Sequence, residues 1–165
     1  MKYPGVIFVM GVSGSGKSTI GKMLAHELHL PFYDGDDYHP AENVSKMRAG
    51  IPLTDEDRYT WLGRLHILAL ELLDQNGGII GCSALKESYR KMLMDGISHR
   101  VKWIFLDGDQ DIIKARMETR REHYMPATLL QSQFDALEIP EYAMRISIDA
   151  DPEEMIKQII NRLEH

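Results

Sequence analysis

Short apolar runs alternate along this chain with longer segments in which apolar residues recur every three or four positions. Such runs are typical of strands buried on both faces of a parallel sheet, and the spaced pattern is typical of amphipathic helices. The runs predict strands at residues 6–10, 30–33, 79–82, 101–106 and 144–148. The spaced pattern predicts helices from residue 17, at 41–48, from 55 to 73, around 89–93 and 112–117, and from 152 to 163.

This alternation of strand and helix predicts an α/β fold, with a parallel sheet covered by helices on both faces. The 165 residues are enough for one domain with a good core, and no linker or internal repeat divides residues 1–165. In such sheets ligands bind outside the carboxyl ends of the strands. Functional residues are therefore expected directly after strands.

The turn after the first strand carries the most specific motif in the chain. Residues 11–18 read Gly-Val-Ser-Gly-Ser-Gly-Lys-Ser and fit G-x-x-x-x-G-K-[ST], the phosphate-binding P-loop, in its required setting between a strand and a helix. Backbone N–H groups and the helix N-terminus would hold phosphates, Lys17 would reach the β- and γ-phosphates, and Ser18 would contact Mg²⁺. The predicted nucleotide-binding residues here are Gly11, Ser13, Gly14, Ser15, Gly16, Lys17, Ser18 and Thr19.

Two acidic residues, Asp34 and Asp36, follow the second predicted strand. Phosphoryl transfer needs a metal clamp and a group that orients the attacking hydroxyl, and two carboxylates two residues apart could divide these tasks. The alternative is a solvated turn, because aspartate also favours turns. The P-loop after the neighbouring strand favours the functional interpretation.

A basic cluster of Arg116, Arg120 and Arg121 precedes a segment where the helical pattern fades. Arg116 and Arg120 are one helical turn apart and share a face, so they could contact the base and the phosphates of a nucleotide. Residues 116–134 could then form a lid that excludes water. The alternative is a solvated cationic helix end stabilised by the helix dipole.

Five further cations are candidates for binding an anionic acceptor, although scattered cations are usually surface residues. They are Lys46, Arg48, Arg58, Lys86 and Arg90, and spacing does not choose among them. His39, which precedes a proline, is expected to be structural, and Trp103 is expected in the core. For Trp61 the sequence does not choose between a core position and a position in the acceptor site, because it is predicted to lie near the acceptor.

Composition limits the partners. A net charge of −6 argues against nucleic acid, which usually requires a basic face. No apolar run approaches the roughly 20 residues that cross a bilayer. The single cysteine, Cys82, excludes a disulfide framework, and no signal-peptide pattern is seen at the N-terminus. We therefore expect a cytoplasmic protein with a small-molecule substrate.

The motifs together resemble those of bacterial gluconate kinases, and the resemblance covers nearly the whole chain. It rests on the P-loop at 11–19, Asp-Gly-Asp-Asp-Tyr-His-Pro at 34–40, Gly-Ile-Pro-Leu-Thr-Asp-Glu-Asp-Arg at 50–58, Cys-Ser-Ala-Leu-Lys at 82–86, His-Tyr-Met-Pro at 123–126 and Ser-Gln-Phe at 132–134. Tyr38 stands where this family often has leucine, and Tyr124 where it often has phenylalanine. Neither departure removes a charge.

This resemblance implies Mg²⁺- and ATP-dependent phosphorylation of D-gluconate at its terminal hydroxyl, giving 6-phosphogluconate. It also implies the P-loop kinase fold with strand order 2-3-1-4-5, a lid and often a homodimer. By analogy with related kinases, Asp34 lies on the Mg²⁺ side and Asp36 on the acceptor side, while Arg116 contacts adenine and Arg120 the phosphates. Arg58 and Lys86, with Arg90 beside them, are the expected gluconate-binding residues.

Two other functions are alternatives to this one. The same enzyme could act on another small acceptor, such as shikimate or a different sugar acid. A nucleotide-dependent switch is the alternative from another class, but the guanine-reading Asn-Lys-x-Asp tetrapeptide that it predicts does not occur in the chain.

Overall fold

This computed structural model describes residues 4–119 and 127–164, in which five strands form one parallel sheet. The strands are β1 Val6–Met10, β2 Phe32–Asp34, β3 Gly78–Gly81, β4 Val101–Asp107 and β5 Met144–Ser147. Their order across the sheet is β2-β3-β1-β4-β5. The α-helices within the described ranges are α1 Lys17–Leu28, α2 Ala41–Arg48, α3 Asp55–Asp74, α4 Glu87–Leu93, α5 Gln110–Thr119, α6 Ala127–Ala136 and α7 Pro152–Glu164. The predicted fold class and strand order are confirmed.

The register of the sheet brings the carboxyl ends of three strands to one level. Val9 of β1 lies opposite Gly81 of β3, and Asp34 of β2 lies opposite the same Gly81. The loops that leave β1, β2 and β3 therefore start side by side. This edge is where an open α/β sheet binds its ligands.

Both faces of the sheet are buried, which explains why β1 is apolar throughout. Ile7 and Val9 point into a core formed with α1, α5, α6 and α7. Phe8 and Met10 point the other way, into a core formed with α3 and α4. Successive side chains alternate across a strand, so a strand between two helical layers has no solvent-facing position.

Helix α3 begins with a capping box next to the same edge. The Thr54 hydroxyl accepts the Asp57 N–H at 3.1 Å, and the Asp57 carboxylate accepts the Thr54 N–H at 2.9 Å. Two of the unpaired N–H groups of the first turn are satisfied in this way. The cap fixes where α3 starts and so where its first polar residues lie.

Two elements differ from the sequence-based expectations. Strand β2 starts at Phe32 rather than residue 30, because the Leu30 N–H caps α1 by donating to the Ala25 carbonyl. Helix α6 was not predicted. Its buried Leu129 and Leu130 are followed by polar Ser132 and Gln133 on the cleft side, which interrupts the apolar stripe. Among the residues that the structure describes, no helix has the length and apolar character of a membrane span.

The turn after β2 packs so closely on β3 that only glycine fits at position 35. A Cβ at Gly35 would lie 2.4 Å from the Gly81 carbonyl oxygen, which belongs to a paired strand and cannot move aside. We expect Gly35→Ala to lower the free energy of unfolding by about 1–3 kcal/mol through overpacking. Urea titration measures this change.

Gly63, in the middle of α3, is the matched control for that substitution. A Cβ there would meet no atom within 4 Å. Gly63→Ala should therefore raise the free energy of unfolding by about 0.5–1 kcal/mol, because alanine has the higher helix propensity. Equal effects at the two positions would contradict the close packing of Gly35.

Candidate active site

The phosphate loop lies between β1 and α1 and is shaped by glycine. Gly16 precedes the helix with φ 99°, a left-handed conformation that a side chain disfavours. The Ser15 N–H donates to the Val12 carbonyl at 3.2 Å, which closes a turn. The helix starts directly behind this turn, so its positive dipole end faces the loop and favours an anion there.

Lys17 lies across the loop that it is predicted to serve. Its ammonium donates to the carbonyls of Gly11 at 3.1 Å and Val12 at 3.0 Å. Burial lowers the pKa of Lys17, while the charge of Asp36 acts in the opposite direction. A triphosphate would offer this ammonium stronger acceptors than two carbonyls, because hydrogen bonds between ionised groups are stronger than those to neutral ones.

Ser18 and Asp34, predicted to lie at the metal, are in contact. The Ser18 hydroxyl donates to the Asp34 carboxylate at 3.1 Å, and the other oxygen of Asp34 accepts the Asp36 N–H at 3.0 Å. A hydroxyl beside a carboxylate is the hard oxygen donor set that Mg²⁺ prefers. Within residues 4–119 and 127–164 no cluster of three His, Cys, Asp or Glu could hold a metal. The pair fits an ion that keeps waters and phosphate oxygens as its other ligands.

Polar groups from four parts of the chain line a cleft beside the phosphate loop. Lys17 and Asp36 line it together with Arg58 from α3 and Ser83 from the turn after β3. The other lining residues are Ser13, His39, Met47, Ile51, Pro52, Leu53, Trp61, Leu85, Leu129, Ser132 and Gln133. A phosphate-loop lysine, a carboxylate and a guanidinium thus face one space, which suits transfer of a phosphoryl group to an anionic acceptor.

One wall of the cleft is an aromatic stack held by buried hydrogen bonds. The Trp61 indole N–H donates to the Gly35 carbonyl at 2.7 Å, and His39 stacks on Trp61 with ring centroids 4.1 Å apart. Buried Asn43 bonds to the His39 ring at 3.1 Å and donates to the Asp57 carbonyl at 2.8 Å. His39 is therefore structural, as expected, and Trp61 belongs to both the core and the cleft.

A second pocket on the far side of the loop suits a nucleotide base. Ser15, Thr19 and Arg116 line it together with the turn after β5, including Ile148 and Ala150. Arg116 donates to the Ile148 carbonyl at 3.0 Å, which holds its guanidinium at the rim. Among the described residues the buried Ser15 hydroxyl has no hydrogen-bond partner, which is costly unless a ligand supplies one.

Comparison with known proteins agrees with this geometry. The family model described as shikimate kinase matches residues 13–164. The thermosensitive gluconokinase of Escherichia coli (strain K12) is 48% identical over 154 residues, which cover 93% of this chain and 78% of that protein. The gluconokinase of Arabidopsis thaliana is 42% identical over 170 residues, 94% of this chain and 90% of the relative.

Solved structures extend the similarity to three dimensions. The crystal structure of a gluconokinase from Sinorhizobium meliloti 1021 superposes with a TM-score of 0.89 at 37% identity, and the match covers 98% of this chain and 92% of that one. The chain belongs to the gluconokinase family of P-loop kinases. The family that the sequence motifs indicated is thereby confirmed.

The two cations expected to bind the acceptor have different surroundings in this gluconokinase-family chain. Arg58 lines the cleft, and its Nη1 donates to the Leu53 carbonyl at 2.5 Å and the Tyr89 hydroxyl at 3.3 Å. Lys86 does not line the cleft and pairs with Asp55 at 3.0 Å. Arg58 is thus the acceptor-binding candidate that the geometry favours.

Arg90, also predicted to bind the acceptor, is buried behind the cleft. Its side chain is 1% exposed, and its guanidinium bonds to Ala84, Leu85, Glu87, Glu138 and Tyr142. A guanidinium enclosed by protein acceptors cannot also hold a substrate. This burial corrects the prediction that Arg90 touches the acceptor.

Helix α6 supplies cleft residues to which the sequence pattern assigned no role. Gln133 accepts the Ser13 N–H of the phosphate loop at 2.7 Å, across 120 residues of sequence. Ser132 lies beside it in the cleft lining. Ser-Gln-Phe at 132–134 was noted in the sequence only as one of the motifs that resemble the family. Arg120, and with it the centre of the predicted lid, lies outside the described residues.

The stacked histidine predicts how stability depends on pH. Burial and then the positive charge of Arg58 lower the pKa of His39 to about 4. An unfolded histidine titrates near 6.5, so between about pH 4 and 6.5 the unfolded chain binds more protons than the folded one. The free energy of unfolding should therefore fall as pH is lowered through this window.

Chemical unfolding at pH 4.5, 5.5 and 6.5 measures this contribution. His39→Gln should flatten the profile, whereas the exposed-site control His99→Gln should keep the wild-type slope. Identical slopes for all three proteins would show that His39 does not titrate in this way.

Proposed function

We propose that this protein transfers the γ-phosphoryl group of ATP to the terminal hydroxyl of D-gluconate, giving 6-phospho-D-gluconate and ADP. The observation that carries the proposal is the convergence of Lys17, Asp36 and Arg58 on one cleft. Relatives at 48% and 42% identity that are named gluconokinases support gluconate as the acceptor.

The phosphate loop and its neighbours would bind the nucleotide. We infer that Lys17 leaves the carbonyls of Gly11 and Val12 for the β- and γ-phosphates, while the backbone N–H groups of the loop hold the remaining oxygens. Arg116 would contact the base from the rim of the second pocket. Arg120 remains a proposed phosphate contact.

Ser18 and Asp34 are the proposed ligands of Mg²⁺. Their oxygens are 3.1 Å apart at the start of α1, directly beside the phosphate loop. Held by Ser18 and Asp34, the ion would neutralise part of the phosphate charge. The Asp34 carboxylate also accepts the Asp36 N–H at 3.0 Å, which fixes its position at the start of the turn after β2.

Asp36 is the proposed acceptor-side group. Its carboxylate lines the cleft with Lys17 and is close enough to influence the pKa of that lysine. A carboxylate there can accept a hydrogen bond from the attacking hydroxyl and orient it. Because the transition state of phosphoryl transfer is loose, this orientation contributes more than removal of the proton.

Arg58 is the proposed partner of the gluconate carboxylate. Its described hydrogen bonds all come from Nη1, so Nε and Nη2 can form the paired contact that guanidinium makes with a carboxylate. A hydroxyl at one end of the acceptor and a charge at the other would fix its direction in the cleft. A lid over residues 116–134, a homodimer and a cytoplasmic location stay predictions.

An acceptor panel tests the function. Purified protein with Mg-ATP is given D-gluconate, other sugar acids, shikimate, nucleotides or no acceptor, and ADP release is measured. The proposal predicts release that depends on gluconate and greatly exceeds release with shikimate or water. Preference for shikimate would assign the other acceptor, and acceptor-independent hydrolysis would favour a nucleotide switch.

Lys17→Ala should lower kcat by several orders of magnitude, because the lysine is proposed to neutralise γ-phosphate charge in the transition state. The control is Lys22→Ala, which removes an exposed lysine from the same helix. Steady-state kinetics and thermal unfolding measure both variants. Near-normal turnover of a folded Lys17→Ala protein would remove the phosphate loop from the mechanism.

Asp36→Asn keeps the size of the side chain but loses its charge. We expect kcat to fall about 10²–10⁴-fold, the range of a general base, with the affinity for an ATP analogue unchanged. Asp37→Asn, at the next exposed position, is the control. Weakened nucleotide binding would move Asp36 to the metal side, and a large rise in gluconate KM alone would make it a binding residue.

A further inference from the structure

The buried guanidinium of Arg90 joins the turn between β3 and α4, which lines the acceptor cleft, to the segment that follows α6. Its Nη1 donates to the carbonyls of Ala84 at 2.6 Å and Leu85 at 3.2 Å, in the turn between β3 and α4. Its Nη2 donates to the carbonyl of Glu138 at 2.7 Å, two residues beyond the end of α6. One side chain therefore holds both segments.

The turn between β3 and α4 needs such support because its backbone is strained. Ala84 has φ 44° and is 1% exposed. A residue with a Cβ in this left-handed region costs on the order of 1–3 kcal/mol and persists only where surrounding contacts enforce it. The neighbours of Ala84 on either side, Ser83 and Leu85, both line the cleft. The strained conformation thus presents cleft residues to the acceptor.

The segment after α6 is tied to the same turn by its own bonds. The Glu138 N–H donates to the Leu85 carbonyl at 2.8 Å, and the Glu138 carboxylate accepts the Glu87 N–H at 2.7 Å. Helix α6 itself carries Ser132 and Gln133 into the cleft, and Gln133 bonds to the phosphate loop. We call these bonds, together with those of Arg90, the junction between the segment after α6 and the turn between β3 and α4. The distance between α6 and that turn therefore depends on this junction.

Tyr142 and Glu87 orient the guanidinium. The Arg90 Nε donates to the Tyr142 hydroxyl at 2.9 Å, and Nη2 donates to the Glu87 carboxylate at 3.0 Å. The Tyr142 hydroxyl in turn donates to Glu87 at 2.9 Å. These contacts use the fixed planar fork of arginine, which the single ammonium of lysine cannot reproduce.

We propose that Arg90 is a positioning residue for the acceptor, which sets the placement of Ser83 and Leu85 relative to α6 without touching substrate. The proposal rests on the proposed function for its kinetic consequence but not for its structural one. Displacing positioning groups by about 1 Å costs on the order of 10²-fold in rate, even when the change lies away from the reacting atoms. Nucleotide binding, on the other side of the phosphate loop, should be spared.

Arg90→Lys and Tyr142→Phe test the proposal together. Arg90→Lys should lower kcat/KM for gluconate by about 10²-fold. Tyr142→Phe removes one hydroxyl from a half-exposed side chain and should raise gluconate KM about threefold to tenfold, as the loss of one or two hydrogen bonds predicts. The affinity for an ATP analogue should stay within about twofold of wild type, since neither residue lines the nucleotide pocket. Tyr59→Phe, at an equally exposed tyrosine on the outer face of α3, is the matched control and should change nothing.

Amide hydrogen exchange without ligands gives a readout that does not need gluconate turnover. Both variants should speed exchange in residues 83–89 and 134–138, while the other strand-end turns exchange as in wild type. If the wild-type protein fails to phosphorylate gluconate, the exchange result still shows whether Arg90 holds the turn between β3 and α4 to the segment after α6. Unchanged exchange there would overturn the proposal. A lower melting temperature with unchanged gluconate KM in both variants would make Arg90 a stability residue only.

Discussion

The level carboxyl ends of β1, β2 and β3 are the constraint on which the rest of the site depends. Val9 and Asp34 both lie opposite Gly81 of β3. The phosphate loop and the turns that follow β2 and β3 therefore start at the same level of the sheet. Parallel pairing fixes this alignment through hydrogen bonds on both sides of β3. A shift of one residue in any strand would turn apolar side chains from one core to the other.

Three charged side chains at this sheet edge, Lys17, Asp36 and Arg58, determine the electrostatics of the cleft. Lys17 is held in a setting that lowers its pKa, and Asp36 provides the opposing charge across the cleft. Arg58 faces the same space from α3. We propose that these groups bind the anionic nucleotide and the anionic acceptor together.

The sequence placed correctly those features that depend on contiguous residues. The phosphate loop is a continuous motif, and the Asp34–Ser18 contact joins residues that follow two strands of the same sheet edge, β2 and β1, on either side of β3. Arg90 and Gln133 could not be predicted in this way. Arg90 owes its burial to partners 48 and 52 residues away, and Gln133 meets Ser13 across 120 residues. A single sequence carries no local pattern that records such distant contacts.

The sequence by itself determined the α/β alternation, the phosphate loop and the family, because each is written in periodicity or in contiguous residues. Tertiary structure alone decided which of the candidate cations line the cleft. Arg58, Lys86 and Arg90 have the same charge and lie within one stretch of the chain, yet one lines the cleft, one pairs with Asp55 and one is buried. Their surroundings differ because the packing of α3, α4 and the segment after α6 determines which of these side chains bonds to protein groups and which lines the cleft.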